Sequence, residues 1–246
     1  MLSKARIKFI KSLQLKKYRK QEQCFTVEGE KSVLEVLNSG LHVQELYATA
    51  GFMERNRPAL SRFTGIAVQV QESELAAVGE YATNNAALAI VAIPENVRPV
   101  AGSEEFVLML DDIRDPGNLG TIIRTADWYG ITNIIASEET ADVYNSKVIQ
   151  SSMGSFTRAK IYYTNLVDFL TDNKLPVIGT FLNGEDAHTF TYGSGGILVI
   201  GNEANGISDA VDRFVTQRIT IPRYGKAESL NAAIATAIIL DNIRRG

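Results

Sequence analysis

Two spacings of apolar residues alternate along this chain of 246 residues. FVLML (106–110), TNIIAS (132–137), AKIYY (159–163), PVIGTF (176–181), GGILVIGN (195–202) and RITIP (218–222) are short apolar runs of strand length. Between them, NLGTIIRTADWYG (118–130), VYNSKVIQ (143–150), LVDFLTDN (166–173) and SLNAAIATAIILDNIRR (229–245) space their apolar residues three and four apart, which predicts helices. Strands that are apolar throughout and separated by helices predict an α/β fold, its sheet mostly parallel with helices on both faces.

Upstream the same alternation runs on a smaller scale. Ile7, Ile10 and Leu13 among lysines predict one helix over 3–21, followed by a strand at FTVEG (25–29) and a helix at KSVLEVLNSG (31–40). VQELYAT, IAVQV and AALAIVAI read as strands, ESELAAVGE as a helix, and FMERNRPALSRF as a mixed, partly helical stretch. PENVRPVAGSEE (94–105) holds two prolines, a glycine and mostly polar residues, which makes it the linker. Two domains follow, a small α/β unit over 1–95 and a larger α/β unit over 105–246.

Composition changes this picture little. The chain is 45% hydrophobic and 22% charged with a net charge of −3, as for an ordinary globular protein. One cysteine, Cys24, excludes an internal disulfide, and two histidines far apart, His42 and His188, offer no zinc-type cluster, so no metal is expected. MLSKARIKFIKSL lacks the apolar core of a signal peptide, and the run 232–240 is too short to span a bilayer. The expectation is a soluble, cytoplasmic protein with no membrane partner. Charge placement carries more than the total. Lys4, Arg6, Lys8, Lys11, Lys16, Lys17, Arg19 and Lys20 crowd the first twenty residues without an acid, a block that either is a solvated helix face or attracts phosphate.

Ligands in open α/β sheets bind beyond the C-terminal ends of strands, and three loops there carry more polar residues than a turn requires. In DDIRDPGNLGTIIRTADWYG (111–130), Asn118 stands where a helix N-cap belongs and Arg124 lies two turns on. Taken alone, Asn118 is as readily a cap, and Arg124 a partner for Asp127. In ILVIGNEANGIS (197–208), glycines at 201 and 206 bracket Glu203; neither a phosphate loop nor a Gly-x-Gly-x-x-Gly site can be written there. In TIPRYGKAESLNAAIATAIIL (220–240), Ser229 or Glu228 is positioned to cap a final helix that is apolar all round, with a buried Asn231 in its first turn.

In this order, NLGTIIR (118–124), IGNEANGIS (200–208) and IPRYGKAESLNAAIATA (221–237) resemble the three motifs of the SpoU, or TrmH-like, RNA ribose methyltransferases, over roughly residues 105–246. The basic N-terminal helix with FTVEGEKSVLEVL resembles the ribosomal-protein-like RNA-binding domain that often precedes them, although TNNAALAIVAIP (83–94) lacks the Pro-Gln-Gly common there. The resemblance implies a C-terminal domain with a deep trefoil knot, binding S-adenosylmethionine through Gly201, Ile221 and Leu230, with Thr180 in the loop after PVIGTF a weaker candidate. It implies methyl transfer to a ribose 2′-hydroxyl. Asn118 would orient the ribose, Arg124 act as base or through the adjacent phosphate, Glu203 hold Arg124 or a dimer partner, and Ser229 and Asn231 shape the pocket. A homodimer and an RNA partner are further implications. Ribosomal RNA is favoured over transfer RNA, with Lys11, Lys16, Lys17, Arg19 and Lys20 as candidate RNA contacts. The rival readings are a transfer-RNA methyltransferase and a non-catalytic RNA-binding or ribosome-assembly protein of the same fold.

Overall fold

In the computed structural model, which describes residues 2–80, 83–100 and 102–245, the chain divides into two compact units, 1–95 with 144–157 and 96–143 with 158–246. In the first, β1 (Cys24–Glu28), β2 (Val43–Ala48), β3 (Ala67–Gln69) and β4 (Ala87–Ala92) form a sheet of order β1-β4-β2-β3. Helices α1 (Lys4–Ser12), α2 (Lys16–Glu22), α3 (Glu30–Leu37), α4 (Ala50–Arg55), α5 (Arg57–Leu60) and α6 (Glu72–Val78) surround it. Ile10, Leu13, Cys24, Tyr47, Leu75, Leu88 and Ile90 make one core cluster. Cys24 sits in it as a free thiol whose pKa burial pushes up, with the Glu22 charge adding to the rise and Arg6 opposing it.

The basic segment is two helices rather than one. Leu13 turns into the core while Leu15 lies in extended backbone, 60% exposed, so the helical register breaks between them. Arg19, expected as an RNA contact, is buried instead. Its Nη1 donates to the carbonyls of Leu13 at 2.9 Å and Gln14 at 2.8 Å, satisfying the open end of α1. Lys11, Lys16, Lys17 and Lys20 remain exposed.

In the second unit, β5 (Phe106–Leu110), β6 (Asn133–Ala136), β7 (Lys160–Tyr163), β8 (Val177–Asp186), β9 (Gly196–Ile200) and β10 (Gln217–Thr220) form a wholly parallel sheet of order β10-β8-β9-β5-β6-β7. Its helices are α7 (Pro116–Trp128), α9 (Leu166–Thr171), α10 (Asp209–Asp212) and α11 (Ala232–Arg245), while α8 (Ser146–Ser152) belongs to the first unit. Val107, Met109, Ile135, Val177, Ile197 and Val199 pack with Leu166, Leu170 and Val211 on one face of the sheet. Leu108, Leu110, Ile134, Leu198 and Ile200, which point the other way, are buried as well, so both faces are covered.

Three boundaries differ from the sequence reading. All of VYNSKVIQ after Val143 lies in the first unit, where the Tyr144 ring packs, tilted, with its centroid 4.5 Å from that of Phe25, which also meets Phe156 at 6.3 Å. The segment 96–98 belongs to the second unit rather than to a free linker. Asn96 donates to the Tyr163 carbonyl at 2.8 Å and accepts from the Tyr163 N–H at 3.0 Å, and Arg98 lies over the Phe169 ring. PVIGTF continues as strand to Asp186, with a register shift where residues 180–184 bulge away from β10.

Replacing Arg19 by alanine should lower stability by about 1–3 kcal/mol, because two helix-end carbonyls lose their donor. Lys20→Ala, at an exposed position, should stay within about 0.5 kcal/mol of the unchanged chain. Paired thermal unfolding curves read the difference.

Candidate active site

The three polar loops converge in the second unit, and each is set by local backbone chemistry. The chain leaves β5 at Leu110 and bends through Asp112, which has φ of 61°. That bend is held on three sides. The Asp112 N–H donates to Ser137 Oγ at 3.0 Å, its carbonyl accepts from Asn202 Nδ2 at 2.8 Å, and the buried Asp111 carboxylate accepts from the Ser208 N–H at 2.7 Å. Arg114 pairs with Asp112 at 2.7 Å; this hydrogen bond first, then the Asp112 charge, raises the guanidinium further above its ordinary value.

Asp115, not Asn118, caps α7. Its carboxylate accepts from the Asn118 N–H at 2.8 Å, and Pro116 takes the first helical position. The Asn118 side chain is thereby released from capping and turned toward the other loops.

After β9, Asn202 and Gly206 exchange backbone hydrogen bonds at 3.0 and 2.9 Å, and Asn202 Oδ1 accepts from the Ala204 and Asn205 N–H groups. The turn closes so tightly that a Cβ on Gly201 would lie 2.2 Å from the Gly206 carbonyl carbon, and Gly206 itself has φ of +70°. Glu203 sits in this turn and its carboxylate accepts from Asn118 Nδ2.

After β10, residues 221–231 run without regular structure into α11. Asn231, rather than Ser229 or Glu228, caps that helix. Its Oδ1 accepts from the N–H groups of Ala233 at 2.9 Å and Ile234 at 3.3 Å, and its Nδ2 donates to Asn118 Oδ1 at 2.9 Å. It is exposed, not buried, and α11 is two-faced, with Ala232, Ala233, Thr236, Ile239 and Leu240 inward and Ile234 51% exposed.

Asn118, Glu203 and Asn231 thus form one directed chain of hydrogen bonds, from the N–H groups of α11 through both amides to a carboxylate. A carboxylate only accepts and helix N–H groups only donate, so both amide orientations are fixed. Asn118 keeps one N–H and one lone pair free for a ligand hydroxyl.

The remaining expected residues stand apart from this chain. Arg124 is exposed on α7, and among the described residues its guanidinium has no hydrogen-bond or ion-pair partner; Asp127 is taken by Arg158 at 2.8 Å, and Glu203 by Asn118. Six residues of helix separate Arg124 from Asn118 by about 9 Å along the axis and about 120° around it, so they do not share a face. Thr180 lies within β8, not in a loop, and donates to the Val199 carbonyl at 3.0 Å. Ser229 is exposed and outside the hydrogen-bonded chain, Leu230 is 46% exposed, and Ile221 and Gly201 are half-buried. Asp111, Asp112, Asp115 and Asn202 are structural partners that the sequence reading missed. Asp115 before Pro116 carried a readable signal, since aspartate followed by proline is a helix-start pair.

Among the described residues the main chain of 222–230 makes no main-chain hydrogen bond. Apart from the Ala227 carbonyl, which accepts from Arg223 Nη1, its donors and acceptors, beside apolar Ile221 and Leu230, suit a flat heterocycle bound by backbone groups. No group of three or more histidine, cysteine or acidic residues able to hold a metal occurs among the described residues. Two clefts in the first unit, of 270 and 570 Å³ and both bordered by Ala50 and Gln69, include none of the residues above.

Asn231→Ala should destabilise the chain by about 1 kcal/mol through loss of the α11 cap, whereas Ser229→Ala should not shift the urea midpoint. Equal shifts would mean that the cap is misassigned.

Residues 105–241 match the SpoU rRNA Methylase family and residues 4–89 the MRM3-like substrate binding domain. The 23S rRNA (guanosine(2553)-2′-O)-methyltransferase RlmP of Bacillus subtilis is 34% identical over 97% of this chain and 96% of its own length. A TrmH-family protein of Porphyromonas gingivalis superposes with a TM-score of 0.89 and 38% identity over the whole of both chains. The AdoMet-bound rRNA methyltransferase of Sinorhizobium meliloti does so with 0.87 and 31% identity over 100% of this chain and 97% of its own. With these matches along its length, the chain belongs to the SpoU rRNA methylase family.

Proposed function

We propose that this protein transfers a methyl group from S-adenosylmethionine to a ribose 2′-hydroxyl of ribosomal RNA. The observation that carries the reading is the Asn231–Asn118–Glu203 chain, which joins three distant motifs and leaves Asn118 with polar valences to spare. A whole-length likeness to a 23S rRNA enzyme, covering both units, supports ribosomal over transfer RNA as the substrate.

The segment after β10, with the turn after β9 and Thr180 in β8, fits the cofactor. The main chain of 222–230, with Ile221 and Leu230, would hold the adenosine part; Gly201, by letting its turn close on Gly206, sets the backbone that would border the cofactor, and Thr180 lies at the neighbouring strand. Bound there, S-adenosylmethionine supplies a methyl group on a sulfonium, already activated toward attack.

The chain's own residues have to orient the hydroxyl and accommodate its proton. Asn118, its amide locked by Glu203 and Asn231, is suited to hold the ribose, and a fixed hydroxyl gains rate from positioning alone. Arginine stays protonated near neutrality and is a poor base. Arg124 therefore acts through the phosphate beside the target ribose, whose oxygen shares the departing proton while the guanidinium holds the phosphate. Glu203 and Asn231 act on Asn118 as positioning residues, and Ser229 borders the pocket.

Arg124 faces away from Asn118 on its own helix, as a site assembled from two copies of the chain requires. Trp128, 84% exposed on α7, is suited to an apolar contact in a homodimer. Exposed Lys11, Lys16, Lys17 and Lys20 are suited to attract RNA phosphates to the first unit. Among the described residues no helix is long and apolar enough to cross a membrane, and the reaction is assigned to the cytoplasm, where ribosomal RNA and the cofactor meet.

Arg124→Ala should lower methyl transfer to ribosomal RNA by about 100-fold or more. S-adenosylmethionine affinity, read by calorimetry, should be almost unchanged. Transfer at the normal rate would remove Arg124 from the mechanism, and absence of any cofactor affinity in the unaltered protein would sink the methyltransferase reading.

A further inference from the structure

The loop between β10 and α11 is anchored at both ends, at Thr220 in the sheet and at Asn231 in the polar chain. Between them Arg223 Nη1 donates to the Ala227 carbonyl at 3.3 Å and folds the segment back on itself. Tyr224 stands in this fold-back, 95% exposed, with Arg223 and Lys226 exposed beside it and Glu228 as the loop's one acid. A phenol ring left in water adds nothing to the core, and single exposed apolar side chains are common. The place of this one is what distinguishes it. Six residues lie between it and Asn231, so its Cα is within about 25 Å of the Asn231 Cα.

We infer that Tyr224 is a stacking platform for an unpaired base of the RNA substrate, near the nucleotide whose ribose Asn118 holds, with Arg223 and Lys226 engaging the flanking phosphates; this rests on the ribose-methylating reading above. Aromatic rings with neighbouring cations are the chemistry that binds single-stranded RNA, because every base has a face to stack and every nucleotide a phosphate to pair. Stacking tolerates any base. Tyr224 therefore holds the strand in place and does not itself select the methylated nucleotide.

The test compares steady-state methylation of large-subunit ribosomal RNA, made by in vitro transcription, by the full chain and by Tyr224→Ala, Tyr224→Leu, Tyr224→Phe and Tyr224→Trp, with cofactor affinity measured in parallel. The ring is solvated, so none of these changes removes core packing. Tyr224→Ala and Tyr224→Leu should raise the KM for RNA by about tenfold, the size of one lost base–aromatic stack, with cofactor affinity unchanged. Tyr224→Phe and Tyr224→Trp should retain the normal KM, and added RNA should quench the new indole of Tyr224→Trp. The inference is overturned if the unaltered protein methylates RNA and all four variants match it, if Leu serves as well as Phe, or if Tyr224→Ala weakens cofactor binding as much as RNA binding. An unaltered protein that neither binds cofactor nor methylates RNA would instead overturn the functional reading on which it rests.

Discussion

A carboxylate, two amides and the start of one helix are wired in a single direction, and the site depends on that wiring. Asn231 closes the N-terminus of α11 and passes a hydrogen bond to Asn118, which passes one to Glu203. The partial positive charge of a helix start lies at one end and a formal negative charge at the other, so each bond polarises the next. Because neither end can reverse its role, the central amide cannot flip, and the valences it offers to a ligand have one orientation.

Such wiring requires three loops to arrive together from positions 85 and 113 residues away from Asn118 in sequence. The parallel sheet makes this possible. Its strand order places β10, β8, β9 and β5 side by side, so the loops that follow them leave from the same edge. Burial on both faces fixes each strand's height in the sheet, and helices α7 and α11 pack together and carry Asn118 and Asn231 with them. The strained bend at Asp112 and the tight turn at Gly201 are held by the same few groups, with Asn202 bonding to the first while closing the second. Backbone strain of this kind persists where the surroundings over-determine it, which is the condition met here.

The basic N-terminal segment shows how charge alone misleads. Eight cations in twenty residues look uniform in sequence, yet Arg6 pairs with Glu45 and Arg19 is spent on the carbonyls that end α1. Only the lysines among the expected contacts stay available to solvent. Arginine, with several donors on a planar group, is the cation that a helix end can bury at low cost; lysine, compact and strongly hydrated, stays outside.

Much was legible in the residues themselves. Continuous apolar runs named the parallel strands and three-to-four spacing named most helices, signals that are local in sequence and written by local propensity. Asn118, Glu203 and Asn231 stood out through the order of the three motifs that hold them, which resembles that of the SpoU family, since each alone reads as a cap or a turn residue. What each polar residue does was decided only when the chain closed. Asn118 reads as a cap until Asp115 takes that place, Asn231 as a buried first-turn residue until it becomes the cap, and Arg124 as a partner of Asp127 until Arg158 occupies it. VYNSKVIQ (143–150) reads as one more helix of the second unit until the aromatic neighbours of Tyr144 draw all but its first residue into the first. The physical reason is the same in each case. A hydrogen bond or ion pair goes to whichever partner folding brings within about 3 Å, and where several partners compete, near or far along the chain, the sequence does not say which arrives.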